Sequence, residues 1–419
     1  MELTAVFGLL GGLLVLAFAA NKLFHRTRVP DVVVLMVAGM LLGPVLGWVK
    51  PAWFEGITPI FGTLALILIL FEGGLELDVR DCLHHFPGGL LLGALVYAFS
   101  LGLILLVVRL ALEVSWTSAL LVGAVLGCAS VAVVLPVLQQ IQVREPVRVT
   151  LMLEGSLGEV LAVLIVGFFL DLTYPGSPAV GDFLGRLIYE VGLSLLLAVA
   201  VGWLWSRLLL RVLAEQRFWH VLTFAVLLLL YAGAQAMGAS GLIAVLGFGL
   251  ALANLPGIDR KMVETTFGLE APTEEHHEKI LTFHSELSFL VRTFFFVLIG
   301  VVVNLSGMVR HLPLVLGILG ALFLARLLAI QASRWAWQGI EAHERELALW
   351  LLPRGLITIV LALQVAEGRG QELAFLPATA FGIILLTNLA VIYGSVRARR
   401  HAQEVATTPA PEPAPNAPN

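Results

Sequence analysis

The chain reads as an all-α polytopic membrane protein of about thirteen transmembrane helices arranged as inverted repeats. Three observations predict this: an apolar composition, thirteen apolar stretches of spanning length, and matching interruptions seven spans apart. Of 419 residues, 59% are hydrophobic and 13% charged, with a mean hydropathy of +0.96. So few charges cannot cover a water-soluble surface, which excludes the soluble enzyme classes.

The spans lie near 4–24, 30–49, 58–75, 88–112, 117–141, 148–172, 183–213, 218–237, 240–255, 284–306, 313–337, 345–366 and 374–396. Each is long enough to cross a hydrocarbon core of about 30 Å. The first, from Leu3, lacks a basic leader and a small-residue cleavage site, so it reads as a retained helix and not a signal peptide. Placing the loop with Lys22, Arg26 and Arg28 in the cytoplasm puts 17 of the 25 basic residues inside and only Lys50, Arg109, Arg186, Arg310 and Arg369 outside. The N-terminus is then outside and the C-terminus cytoplasmic. Residues 1–397 form the transmembrane domain, 256–283 a cytoplasmic loop carrying EAPTEEHHEK, and 398–419 a Pro/Ala-rich cytoplasmic tail whose composition predicts disorder. Two cysteines, Cys82 and Cys128, make neither a disulfide framework nor a metal cluster and read as packing residues.

Two spans are interrupted alike: the fifth (117–141) in GCASVAVVLPVLQQ, at Gly127 and Pro136, and the twelfth (345–366) in LLPRGLITIVLAL, at Pro353 and Gly355. An offset of seven helices reverses orientation in the membrane. The same offset relates VAGMLLGP in the second span to GFGLALAN in the ninth. Paired broken helices in two inverted halves point to a secondary transporter with its site near the midplane.

The sixth span, LMLEGSLGEVLAVLIVGFFL, drives Glu154 and Glu159 into the membrane. Ionisable groups at that depth are functional-site hypotheses by default. Five residues apart, they sit about 140° from one another around the helix, so they have separate tasks. Glu159, a desolvated carboxylate, is able to hold either a proton or a cation. Ser130, at the fifth-span break beside Ala129, either ligates a cation or bonds back to the preceding turn.

Arg354, in the twelfth-span break, is a permanent charge that needs a counter-ion, and Glu154 is the partner expected for it. Glu72 in the third span and Arg326 in the eleventh are further charges at depth, structural or accessory, and Arg292 reaches towards the inner boundary near Glu286. Nine of ten histidines, including His84, His85, His276, His277 and His284, fall on the cytoplasmic side, where they read as solvated and, as the alternative, as pH reporters. EEHHEK lacks the HExxH spacing of a zinc hydrolase, no nucleotide-binding run is present, and nothing calls for a cofactor or nucleic acid. Ser156 and Ser130 have no His or Lys in any span to activate them, so the chain is not read as an enzyme.

On VPDVVVLMVAGMLLGP, LILFEGGLELDVRD, the paired broken helices, SGLIAVLGFGLALAN, RTFFFVLIG and LLPRGLITIVLAL, the chain resembles the monovalent cation:proton antiporter superfamily on its sodium/proton-exchanger side, over about Val29 to Ala398. The resemblance implies two crossed, broken helices in a six-helix core beside a panel-like half, homodimerisation, and a bacterial-type inner membrane. The family's fifth-helix Thr-Asp pair falls on Ala129-Ser130. Of its sixth-helix run, Glu falls on Glu154, Ser on Gly155, and Asn-Asp on Gly158-Glu159. Its twelfth-helix arginine falls on Arg354, which in the family pairs with the Glu154 position. The structural pair is kept while the ion ligands differ.

The expected function is exchange of Na⁺ or K⁺ for a proton by competition at Glu159, electroneutral because one exchangeable carboxylate is present. The rivals are a potassium efflux pathway or uncoupled channel, because Ser130 replaces a coupling acid, and a non-transporting membrane sensor.

Overall fold

A computed structural model describes the chain apart from residues 1–2, 28–30, 52–57, 76–78, 141–142, 172–182, 209–217, 268–273, 334–341 and 408–419. Every regular element among the described residues is helical. In order these are α1 (Leu3–Thr27), α2 (Asp31–Met40, continued by a π turn to Val45), α3 (Thr58–Leu75), α4 (Val79–Ala111), α5 (Trp116–Gly127), α6 (Val131–Gln140), α7 (Glu145–Asp171) and α8 (Phe183–Leu208). There follow α9 (Trp219–Ala236), α10 (Gly241–Phe267), α11 (Glu274–Val302), α12 (Leu305–Arg310), α13 (Leu312–Ala332), α14 (Ala342–Trp350), α15 (Leu356–Arg369) and α16 (Leu376–Thr407). Among the described residues, seven helices are long and apolar enough to cross a membrane, and shorter apolar helices lie at Val32–Val45, Ile60–Leu75, Trp116–Gly127 and Gly241–Asn254.

The helices pack as two groups. α4 packs on α5, α7 and α13, and α16 on α13, α14 and α15. An apolar cluster ties this core together with Val96 of α4, Val134 of α6, Leu151 of α7, Ala329 of α13, Leu347 of α14 and Val391 of α16. In the second, panel-like group, α10 packs on α3, α8 and α9, and α11 on α2 and α3. The short helix α12 links α11 of the panel to α13 of the core.

The internal similarity between VAGMLLGP and GFGLALAN has a packing cause. Gly39 of α2 meets Gly300 of α11, where a Cβ on Gly39 would stand 2.9 Å from the Gly300 Cα. Gly249 of α10 meets α3 at Gly74, where a Cβ on Gly249 would stand 3.1 Å from the Leu75 nitrogen. Each contact becomes the other under the seven-span offset. Both rest on small residues that let helix backbones touch, the usual currency of helix association in lipid.

Some boundaries differ from the sequence reading. The fifth-span break is the non-helical stretch Cys128–Ser130, and α6 runs through position 136. Proline cannot donate an N–H and crowds the preceding turn, but here the backbone instead leaves the helix at Cys128, which is extended (φ −79°, ψ 135°). Segment 256–283 is largely helical, with α10 reaching Phe267 and α11 starting at Glu274, because the charged flanks continue the helices past their apolar stretches. Likewise α16 continues to Thr407, past position 397, and residues 408–419 of the expected tail lie outside the described residues.

Candidate functional site

The two breaks meet. The Ser130 backbone N–H donates to the carbonyl of Pro353 at 2.9 Å, joining the fifth-span break to the twelfth. In the twelfth span the helix stops at Trp350 and resumes at Leu356, since a proline at 353 removes a donor and disfavours helical backbone at the residue before it. Gly355 lets the two breaks approach: a Cβ there would stand 2.7 Å from Ser130 Cβ.

α7 lies against this junction. Glu159 is buried, and its Oε1 accepts the backbone N–H of Val131, the first residue of α6, at 3.2 Å. The Ser130 side chain also interacts with that carboxylate. A helix N-terminus presents unpaired N–H groups and partial positive charge, so it is a natural seat for a carboxylate. One turn of α7 sits directly on the break, since a Cβ on Gly158 would rest 3.7 Å from the Ala129 nitrogen. Ala129 and Ser130 are both buried there. The family's serine has no room at Gly155, where a Cβ would stand 2.6 Å from Val131 Cγ2.

Arg354 does not pair with Glu154. Its Nε donates to Leu126 O at 2.7 Å, Nη2 to Gly127 O at 3.1 Å and Nη1 to Leu352 O at 3.1 Å. The guanidinium thus serves the orphaned carbonyls at the C-terminus of α5, where a cation is favoured. α16 holds the break from the other side: Thr387 Oγ1 accepts from the Arg354 N–H at 3.1 Å, and Asn388 Nδ2 donates to the Arg354 carbonyl at 2.9 Å.

The counter-ion of Glu154 is Arg326 of α13. Both are buried, and Arg326 Nε also donates to Ala348 O at 2.8 Å. The expected Glu154–Arg354 pair is therefore replaced, for a physical reason: Arg354 is consumed by carbonyls that only the break exposes. The two carboxylates of α7 do face different ways, Glu154 to α13 and Glu159 to the helix break.

Glu72 and Arg292 stand on panel helices α3 and α11, both half-buried. His284, expected in solvent, is fully buried on α11. Its ring lies 4.8 Å from Phe71 and 5.1 Å from Phe283, and its Nδ1 bonds the Ile280 carbonyl at 2.9 Å. The side chains of His84, His85, His276 and His277 lie outside the described residues.

Two polar clamps, absent from the sequence reading, close the ends of the crossed pair. At one end Glu372, after α15, accepts the Ser115 N–H at 2.8 Å, while Ser115 Oγ caps α5 by accepting the Ser118 N–H at 3.1 Å. At the other, Arg144, after α6, pairs with Glu344 of α14. The seven-span offset carries one clamp onto the other, with the acid on the twelfth span each time. Hydrogen bonding by the Ser115 backbone N–H holds the Glu372 carboxyl below the ordinary value.

Comparison with known proteins gives the lineage. The sodium/hydrogen exchanger transmembrane family model matches residues 13–396. The chain is 24% identical over 401 residues to Na(+)/H(+) antiporter 1 of Methanocaldococcus jannaschii, covering 93% of this chain and 90% of that protein. It is also 24% identical over 392 residues to the K(+)/H(+) antiporter NhaP2 of a Shewanella species (strain ANA-3), covering 91% of this chain and 64% of that longer protein. The fold is similar to the sodium proton antiporter MjNhaP1 from M. jannaschii at pH 8, with a TM-score of 0.73 at 20% identity over 97% of this chain and 99% of that one. An electron-microscopy structure of the same antiporter gives a TM-score of 0.75 at 22% identity, covering 97% and 98% of the two chains. With its matched span and its junction of two broken helices, this chain belongs to the sodium/hydrogen exchanger family of membrane proteins.

Proposed function

We propose that this protein is a secondary transporter that exchanges a monovalent cation, Na⁺ or K⁺, for a proton, and that both bind at Glu159. One observation carries the reading: a buried carboxylate held against the meeting point of two broken helices by the Val131 N–H. A hydrogen bond to one oxygen leaves the other for a cation, and the Ser130 hydroxyl and carbonyls of the break add hard oxygen ligands of the kind such ions take. Proton and cation then compete for one charge, which makes the cycle one-for-one and electroneutral. Glu154–Arg326 and the carbonyl-bound Arg354 brace the site and take no part in exchange.

In this reading thirteen spans cross a bacterial-type inner membrane, with the N-terminus outside and the C-terminus in the cytoplasm. The panel-like group forms a homodimer and the core rocks against it. The test is cation-dependent collapse of an imposed pH gradient in proteoliposomes, with Na⁺, K⁺ and Li⁺ added in turn. Wild type should respond to at least one ion and folded Glu159→Gln to none. A wild type silent to all three across neutral and alkaline pH would overturn the reading. An exchange rate that follows membrane potential would overturn its electroneutral part.

A further inference from the structure

The short helix α12, which links the panel to the core, borders a cavity of about 440 Å³. α11 of the panel lines it through Ile299 and Val302, and α15 and α16 of the core through Ile359, Leu363 and Phe381. Its volume falls within the range of about 300–1,000 Å³ usual for small-molecule sites.

The cavity changes character from floor to mouth. Ile359 and Phe381 are buried apolar side chains, and Val302, Leu363 and Phe375 are half-buried. The polar lining residues Asn304, Arg310 and Gln371 are exposed. Asn304 uses its side-chain oxygen on α12, accepting from the Gly307 N–H at 2.9 Å and the Ser306 hydroxyl at 2.8 Å, which leaves its amide N–H groups to donate. The last turn of α12 closes with the His311 N–H on the Gly307 carbonyl at 3.1 Å. Arg310 and His311 stand together at that turn, and both line the cavity.

Charge and surroundings select the occupant. Among the described residues the lining has no Asp or Glu. Glu372, next in the chain to Gln371, instead accepts the Ser115 N–H at 2.8 Å. Arg310 therefore gives the mouth a positive charge, which disfavours the transported cation and suits an anion, and a guanidinium can pair with two phosphate oxygens at once. Val309, Leu312 and Leu316, on the same stretch of chain, are large apolar side chains left exposed, as they are where a surface meets lipid. An occupant drawn from the bilayer, anionic at one end and apolar at the other, matches both.

We infer that this cavity binds an anionic phospholipid, its phosphate on Arg310 with Asn304 and Gln371 as further donors, and one acyl chain running towards Phe381. Because α11 and α15 both line the cavity, the chain would touch panel and core together. The binding is independent of which ion Glu159 exchanges.

The test is lipid binding to purified full-length protein in detergent, read by native mass spectrometry. Dioleoylphosphatidylglycerol and dioleoylphosphatidylcholine differ in headgroup charge and share their acyl chains. Wild type should hold the first about five-fold more tightly, the value of one basic residue at an anionic membrane surface. Arg310→Gln should remove most of that difference and Arg310→Lys should keep it. Equal binding of the two lipids by wild type, or a preference unchanged by Arg310→Gln, would overturn the inference. A second measurement locates the lipid. Phosphatidylglycerol carrying a diazirine at the end of one acyl chain should label residues within 299–311 or 359–381, and Ala374→Trp, at the exposed edge of the cavity, should abolish that label. Labelling confined to other helices would overturn the site. Displacement of the lipid by inorganic phosphate at constant ionic strength would also overturn it, because the occupant would then be a soluble anion.

Discussion

Ser130 and Pro353 are joined through their backbones, N–H to carbonyl at 2.9 Å, so the two broken helices share a bond where neither has a helical partner to offer. In lipid every such group must be satisfied within the protein, and two breaks placed together satisfy one another. Glu159 closes the same arrangement by taking the next N–H along, that of Val131.

This contact predicts the effect of Gly355→Ala. The new methyl would overlap the Ser130 side chain, whose Cβ lies 2.7 Å from the position it needs. Forcing the breaks apart should cost about 1–3 kcal/mol, as overpacking does in other tight sites, and should abolish exchange while the protein still inserts. Adding Ser130→Gly should recover most of the thermal stability. If Gly355→Ala melts and exchanges like wild type, the breaks are not in contact as described.

The two buried arginines should behave differently in a double-mutant cycle with Glu154. Arg326→Met strands a buried carboxylate and should cost about 3–5 kcal/mol, most of it relieved when Glu154→Leu is added. Arg354→Met strands carbonyls at Leu126 and Gly127 instead, and Glu154→Leu should give it no relief. Thermal melts of the five variants in one detergent decide the matter. Coupling between Glu154 and Arg354 larger than that between Glu154 and Arg326 would reverse the assignment.

Much of this organisation was legible in the sequence because lipid makes polar exceptions conspicuous. Glu154, Glu159, Arg326 and Arg354 stand out from their apolar neighbours, and Pro353 with Gly355 marks a helix stop by simple backbone chemistry. The choice of partner was not legible. Arg354 faces carbonyls that exist as free acceptors only once α5 ends at Gly127, and that end has no proline to announce it. The position of His284 was hidden for a related reason: its helix begins in charged sequence, yet Phe71 of α3 covers the ring from a distant part of the chain. The clamps involve surface-type residues, Arg144 and Glu372, whose significance depends on the inverted symmetry of the folded core.

His284 offers a third prediction. Its Nε2 is buried with no hydrogen-bond partner among the described residues, and the ring is surrounded by Phe71, Phe283 and, at 6.5 Å, Phe224. An unsatisfied buried polar atom costs about 1–3 kcal/mol, so His284→Phe, which fits the aromatic surroundings, should hold or raise thermal stability. The pH profile of exchange should not move. A displaced profile in a stable His284→Phe protein would show that this ring reports pH.

The paired clamps give the fourth. Glu344 is almost fully buried and accepts from both the backbone N–H and the guanidinium of Arg144, so Glu344→Gln should cost more than Glu372→Gln at neutral pH. Glu372 is exposed, and its contribution should stay within about 1 kcal/mol. Its sign with pH follows from the lowered carboxyl value, whose main cause is the Ser115 N–H. A carboxylate that is more acidic folded than unfolded stabilises fully above the unfolded value, about 4.3 for Glu, and loses that contribution as pH falls through the folded value. The difference in melting temperature between wild type and Glu372→Gln should therefore be constant from neutral pH to about pH 5 and shrink below it. A difference that grows on acidification would mean that the protonated carboxyl is the form the Ser115 N–H prefers, and the Ser115–Glu372 clamp would have to be discarded.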